Sequence, residues 1–504
     1  MIASTFLNKK DILSESNCEF IQKTFGVERE SIEQQVNPIL DIIRDDVICF
    51  FEYPYVEKIY RDSYYSFFSK KHNAYNRNSI RISFFTNNLD VENYYIDSNV
   101  NDCFLGYITL RPTTYRMIGH SFLSPESLTE NRFVSCLSKK SVLVNGRKLF
   151  VAGFPYCGQD NESTTCAEVS ILNITDYFGH RYPEYSMILP SQISKILSKQ
   201  TFERQLPTKG LPTQNMSYVL KKIGFGTKVY SKVVGNDKTE NIYADEDFKD
   251  AFLMYIESGI PVIATLISGK NHHAVLAIGR ENFENEKVMN KCKNKVFTFS
   301  SFVDKVLVMN DNQPPYRLVN FNKPIKDNGS NSFYEFTSFI VPLYPKVHLE
   351  AYQFKKLLTG VIDLLESRTY IKLKKEPKEC YIHRCFLSSS KSYKNYIAMS
   401  EGVSVDFKNI ILNKSMPKFV WVGEIIHGNK LRTTQYVESI VVLDATESGL
   451  SGHLIFATNS KYLLIKQFSI SNDLEKNYSI FEFKEEKFTT FANNLKGEHV
   501  KWQI

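Results

Sequence analysis

"CGQDNESTTCAEVSILNITDYFG" (Cys157–Gly179) holds two cysteines nine positions apart, the first in a polar, glycine-containing stretch and the second at the head of an apolar-periodic run. Thr165 followed three residues later by Glu168 is a capping-box pattern, which predicts a helix whose first residue is Cys166. Ala167, Ile171, Ile174 and Phe178 then fall on one face, the apolar stripe of an amphipathic helix. Gly179 stands where a left-handed residue would end it. A thiol at such a helix start meets unsatisfied N–H groups and the positive end of the dipole, which favour thiolate over thiol. Cys157, between Tyr156 and Gly158, gains no such support. The two cysteines therefore read as a nucleophile and a spectator, not as a disulfide or a metal pair.

A nucleophilic thiolate needs a base and an oxyanion donor. "FKDAFLMYIESGIPVIATLISGKNHHAVLAIGR" (248–280) predicts a helix ending at Gly259, a strand, the loop "SGKN" and a second strand. His273 stands at the mouth of that second strand, with His272 beside it. Strand alternation sends the two to opposite faces, so only one can meet Cys166. Further on, "DKVLVMNDNQPPY" (304–316) is a buried strand ending in Asn310, Asp311 and Asn312. A carboxylate or amide at a strand end can orient an imidazole; an Asx-turn uses the same residues.

Cysteine, then histidine at a strand start, then an acidic or amide residue at a strand end: this order resembles the papain-like cysteine peptidase superfamily, in its bacteriocin-processing-peptidase-like branch. The resemblance covers residues 146–322. It implies that Gln159 donates its side-chain N–H to the oxyanion, that His273 is the base, and that Asp311 orients it. The stretch "LPTKGLPTQNMSYVLKKIGFGTKVY" (206–230) is similar to the family's helix–glycine–strand unit between nucleophile and base. Two departures stand out: Ala167 follows the nucleophile where the family commonly has glycine, and a charged insertion occupies 280–295. The fold class implied is α+β, a central papain-like core with the Cys166 helix packed on an antiparallel sheet, flanked by N- and C-terminal segments. The activity implied is cleavage of a peptide or isopeptide bond through a thioester. Transfer to an amine, as in transglutaminase-like acyltransferases, uses the same residue order, and a non-catalytic binding protein on this core is the third reading. The partner implied is a protein or peptide substrate; no cofactor or metal is called for.

The whole chain has 504 residues, 43% hydrophobic and 23% charged, which suits a multi-domain globular protein. Pattern changes suggest three parts: an N-terminal α+β domain (1–145), the peptidase-like domain (146–345) and a mostly β domain (346–504). The net charge of +7 is too dilute to argue for nucleic acid. The basic, aromatic stretch "YVEKIYRDSYYSFFSKKHNAYNRNSIRISFF" (55–85) reads first as an amphipathic helix and a strand. Residues 1–30 contain no apolar signal core, and no run is long enough to span a bilayer, so the expected location is cytoplasmic. Nine cysteines would then be reduced. "CYIHRC" (380–385) brings Cys380, His383 and Cys385 together without the second half-site that zinc requires, and reads as thiols in a β segment. A regulatory partner for the flanking domains is left open.

Overall fold

Runs rich in Phe, Ile, Val and Tyr form the strands of three large sheets. The computed structural model describes residues 3–113, 115–201, 203–232, 242–282, 296–327, 332–367, 380–428, 436–448, 453–467 and 478–496. The architecture is mixed α+β. The first sheet is antiparallel, in the order Ala3–Asn8, Val47–Tyr55, Ser79–Thr86, Phe104–Leu110, Ser121–Leu123, Arg147–Tyr156, Ser138–Val144. Its last two strands form a hairpin whose turn residues, Asn145 and Gly146, both have positive φ (43° and 81°). That is the turn chemistry that matches strand twist. The boundary drawn at residue 145 falls in this turn, and the strand that follows pairs with the first sheet while leading directly to Cys157.

The second sheet runs Ile242–Tyr243, Gly226–Lys232, Phe333–Leu343, Val262–Ser268, Asn271–Glu281, Lys305–Met309, Arg317–Asn320. Phe133–Ser135, from the N-terminal region, also pairs with Asn271–Glu281. The hairpin that carries His273 turns at Gly269, and the preceding helix Asp245–Glu257 is followed by Gly259 at φ +70°, as the glycine spacing predicts.

Between these two sheets lies the helix Cys166–Arg181. It packs against the Asn271–Glu281 strand on one side and the Ser138–Tyr156 hairpin on the other. Two departures from the sequence reading follow from this sandwiching. Every residue from Ala167 to Phe178 is buried, so the helix has no solvated face. Asp176 on the buried polar face accepts from His120 (2.9 Å), His180 (3.1 Å) and Lys140 (3.2 Å), while the Asn173 amide oxygen has no hydrogen-bond partner among the described residues. Nor does Gly179 end the helix, which runs on to Arg181; a Cβ there would stand 3.1 Å from the Met187 nitrogen, so this glycine serves close packing.

The third sheet comprises Val296–Thr298, Tyr381–Ser389, Phe419–His427, Ser439–Asp444, Leu454–Asn459, Tyr462–Lys466 and Tyr478–Glu482. A buried ionic network joins it to the second. Glu257 accepts from Arg280 (2.6 Å) and Arg384 (2.7 Å), and Arg384 also reaches Glu424 (2.8 Å) and the Phe491 carbonyl (2.9 Å). Trp421, fully buried, stacks on Phe354 of the helix Ala351–Ser367 and donates to the Leu349 carbonyl at 2.7 Å. Among the described residues no helix is long and apolar enough to cross a membrane.

The 55–85 stretch forms the helix Lys58–Ser66, a short 3-10 turn and the strand Ser79–Thr86, with Tyr60, Phe68, Phe84 and Phe85 buried. "CYIHRC" leads into the strand Tyr381–Ser389. Cys380 is disulfide-bonded, against the expectation that all nine thiols are reduced, while Cys385 is a buried free thiol. Of the charged insertion, residues 283–295 lie outside the described residues.

Candidate functional site

The approach to Cys166 is built around one carboxylate. Asp160, buried, accepts from the N–H groups of Glu162 (2.9 Å), Ser163 (2.6 Å) and Thr164 (2.9 Å), which curls the loop into the helix start. Glu168 then reaches back to the Thr165 N–H at 3.1 Å, the carboxylate half of the expected capping box. Its other oxygen accepts from the Thr208 hydroxyl at 2.6 Å. Cys166 is accordingly the first residue of the helix. The N–H groups of the first turn have no intrahelical acceptors.

The Cys166 thiol is half-buried, and it alone of the seven free cysteines among the described residues is not buried. Its pKa is pushed up to about 12, first by burial and then by the charge of Asp311; the N–H groups of Ala274 and Ala167 pull it back only in part. The thiolate expected from the helix dipole is therefore not the resting form. Desolvation, which the spacing of residues does not report, outweighs the dipole. The influence of the Ala274 N–H places the sulfur beside the residue that follows His273.

His272 is exposed, whereas the His273 side chain is only 10% exposed, so alternation along the strand resolves which imidazole faces inward. His273 Nε2 lies 2.9 Å from Asn310 Oδ1. That same oxygen accepts the backbone N–H of Asn312 at 3.1 Å. Because an N–H can only donate, the shared atom is the amide oxygen, and Nε2 must carry the imidazole proton. Nδ1 is then the basic nitrogen.

Asp311 Oδ1 lies 3.7 Å from His273 Nε2, beyond hydrogen-bond distance. The orienting bond assigned to Asp311 from the resemblance is made by its neighbour Asn310. Asp311 is buried, and apart from its own backbone N–H no donor among the described residues serves either carboxyl oxygen. Burial pushes its pKa up to about 6, against the opposing pull of His273, of its own backbone N–H and of Arg116.

Gln159 reaches the same turn: its Nε2 donates to Asn312 Oδ1 at 2.7 Å, and Tyr156 donates to the Gln313 carbonyl at 2.6 Å. One amide hydrogen of Gln159 is thus committed and the second is left to donate. The peptide before it is clamped from the N-terminal region. Arg111, fully buried, donates to the Gly158 carbonyl at 2.5 Å, and the Gly158 N–H donates to the Ile118 carbonyl at 3.1 Å. A Cβ on residue 158 would meet that carbonyl at 2.9 Å, which explains the glycine. Cys157 is buried against Arg111 (3.8 Å), and burial pushes its thiol up to about 12. The site thus gathers Gln159, Cys166, His273, Asn310 and Asp311 from four segments. Neither Arg111, in an unremarkable "LRPT", nor Asp160 carries a sequence signal; Asn310 does, as part of the polar turn.

Comparison with models of known protein families gives no match, and no curated protein matches the chain. Among the described residues no three His, Cys, Asp or Glu side chains are grouped to hold a metal ion.

Proposed function

We propose that the chain is a papain-like thiol hydrolase that cleaves a peptide or isopeptide bond through a thioester on Cys166. The observation that carries this reading is the double use of Asn310 Oδ1, which leaves His273 with a basic Nδ1 on the strand that flanks the Cys166 sulfur. Since the thiol is neutral at rest, attack proceeds by general-base catalysis. The Sγ–H proton passes to His273 Nδ1 as the S–C bond forms and the carbonyl becomes an oxyanion. The Cys166 backbone N–H and the second amide hydrogen of Gln159 receive that charge. Collapse expels the amine, which takes the proton from Nδ1, and water then releases the acid by the same base.

p-Nitrophenyl acetate tests this without knowledge of the natural substrate. The expected result is a burst of p-nitrophenolate that is lost in Cys166→Ala and His273→Ala, with Gln159→Ala slowing acylation roughly 10²–10³-fold. A burst that survives Cys166→Ala refutes the proposal. Adding a primary amine separates hydrolysis from transfer, because only transfer yields the acetylated amine.

A further inference from the structure

A buried carboxyl group without a single hydrogen-bond donor is costly, and folds rarely keep one without use. Asp311 comes close to this: its side chain is 2% exposed, and apart from its own backbone N–H no donor among the described residues serves either oxygen. In a triad with one orienting carboxylate, that group does two things: it holds the imidazole in one tautomer, and it stabilises the imidazolium once the proton has moved. Here the first task belongs to the amide of Asn310, which carries no charge to perform the second.

We propose that the two tasks are divided between adjacent residues: Asn310 fixes the tautomer and orientation of His273, while Asp311, held 3.7 Å from Nε2, stabilises the imidazolium formed when Cys166 surrenders its proton. This rests on the reading of Cys166 as nucleophile and His273 as base. The surroundings of Asp311 agree with it. Around it are His273 on its strand, Arg116 on the N-terminal loop, Glu168 and Cys166 on the helix, and Tyr156 and Cys157 at the end of the first-sheet strand. None of them gives Asp311 a hydrogen bond. Its charge opposes a resting thiolate, and so holds Cys166 in the thiol form. When the proton moves, a cation appears next to Asp311, whereas the oxyanion forms beyond the sulfur, toward the helix N-terminus and Gln159.

The two effects have opposite signs, and that makes the division testable. Iodoacetamide alkylation of Cys166 needs only thiolate; acylation by p-nitrophenyl acetate needs His273 to take and carry the proton. In Asp311→Asn, alkylation at pH 7.5 should rise about tenfold, as removal of a nearby like charge lowers the thiol. Acylation should fall by roughly tenfold or more. The transposed variant Asn310→Asp/Asp311→Asn should recover acylation, because a carboxylate again faces the imidazolium. If alkylation and acylation fall together in Asp311→Asn, or if the transposed variant recovers nothing, the division of tasks is overturned and Asp311 is a scaffold residue. Should Asp311→Asn fail to fold, Asp311→Ala carries the same paired comparison. Retention of the burst in Cys166→Ala instead overturns the assignment of the nucleophile, a separate outcome.

Discussion

Replacing Asp311 by Asn should make the protein more stable at neutral pH. The Asp311 carboxyl is raised from its ordinary value of 3.8 to about 6, mainly by burial. The folded state therefore binds this proton more tightly than the unfolded chain. Stability from the group is fully present below about pH 4 and declines as pH rises through about 6. The span from 3.8 to about 6 corresponds to about 3 kcal/mol lost above pH 7. At roughly 2.1 cal/mol/K per residue, a chain of this length that melts as one unit has an unfolding entropy of about 1 kcal/mol/K. Asp311→Asn should then raise Tm at pH 7.5 by about 3 °C, and by about 7 °C if only some 200 residues around the site melt together. At pH 4 the two proteins should melt alike. Thermal unfolding by circular dichroism at both pH values measures this. A lower Tm for Asp311→Asn at pH 7.5 would mean that the fold satisfies the carboxylate and that its burial carries no such cost.

Native alkylation provides a second prediction. Iodoacetamide should modify Cys166 ahead of the six buried free thiols among the described residues, and its rate should climb about tenfold per pH unit from 7 to 9 without levelling, since the thiol lies near 12. A plateau below pH 8.5, followed by mass spectrometry of the labelled peptide, would show a thiolate that burial has not suppressed. In the buried network between the second and third sheets, Arg384→Met leaves Glu257 and Glu424 short of a cation and should destabilise the protein by about 3–5 kcal/mol. A loss under about 1 kcal/mol in chemical denaturation would show that water or rearrangement replaces the arginine.

Much of the local structure was legible in the residues themselves. Thr165 and Glu168 place the helix start at Cys166, and Gly259 and the "SGKN" turn place the His273 hairpin, because capping and turn chemistry act over three or four residues. The C-terminal runs Phe419–His427, Ser439–Asp444 and Tyr462–Lys466, rich in Val, Ile and Leu, are strands for the same short-range reason. The helix periodicity misled in one respect. The stripe of Ala167, Ile171, Ile174 and Phe178 is real, but sheets on both sides bury the polar face as well, and no periodicity reports a second neighbour.

At the candidate site the division is sharper. Local sequence suffices to place a thiol at a helix start, an imidazole at a strand mouth, and three polar residues at a strand end. Long-range packing sets the rest: Asn310 rather than Asp311 bonds the imidazole, His272 faces solvent, and Arg111 clamps the Gly158 peptide. It also decided that the thiol rests neutral. Such choices turn on ångström separations between segments far apart in the chain, and on how much water each charge loses. Neither quantity is written in the spacing of residues along one segment.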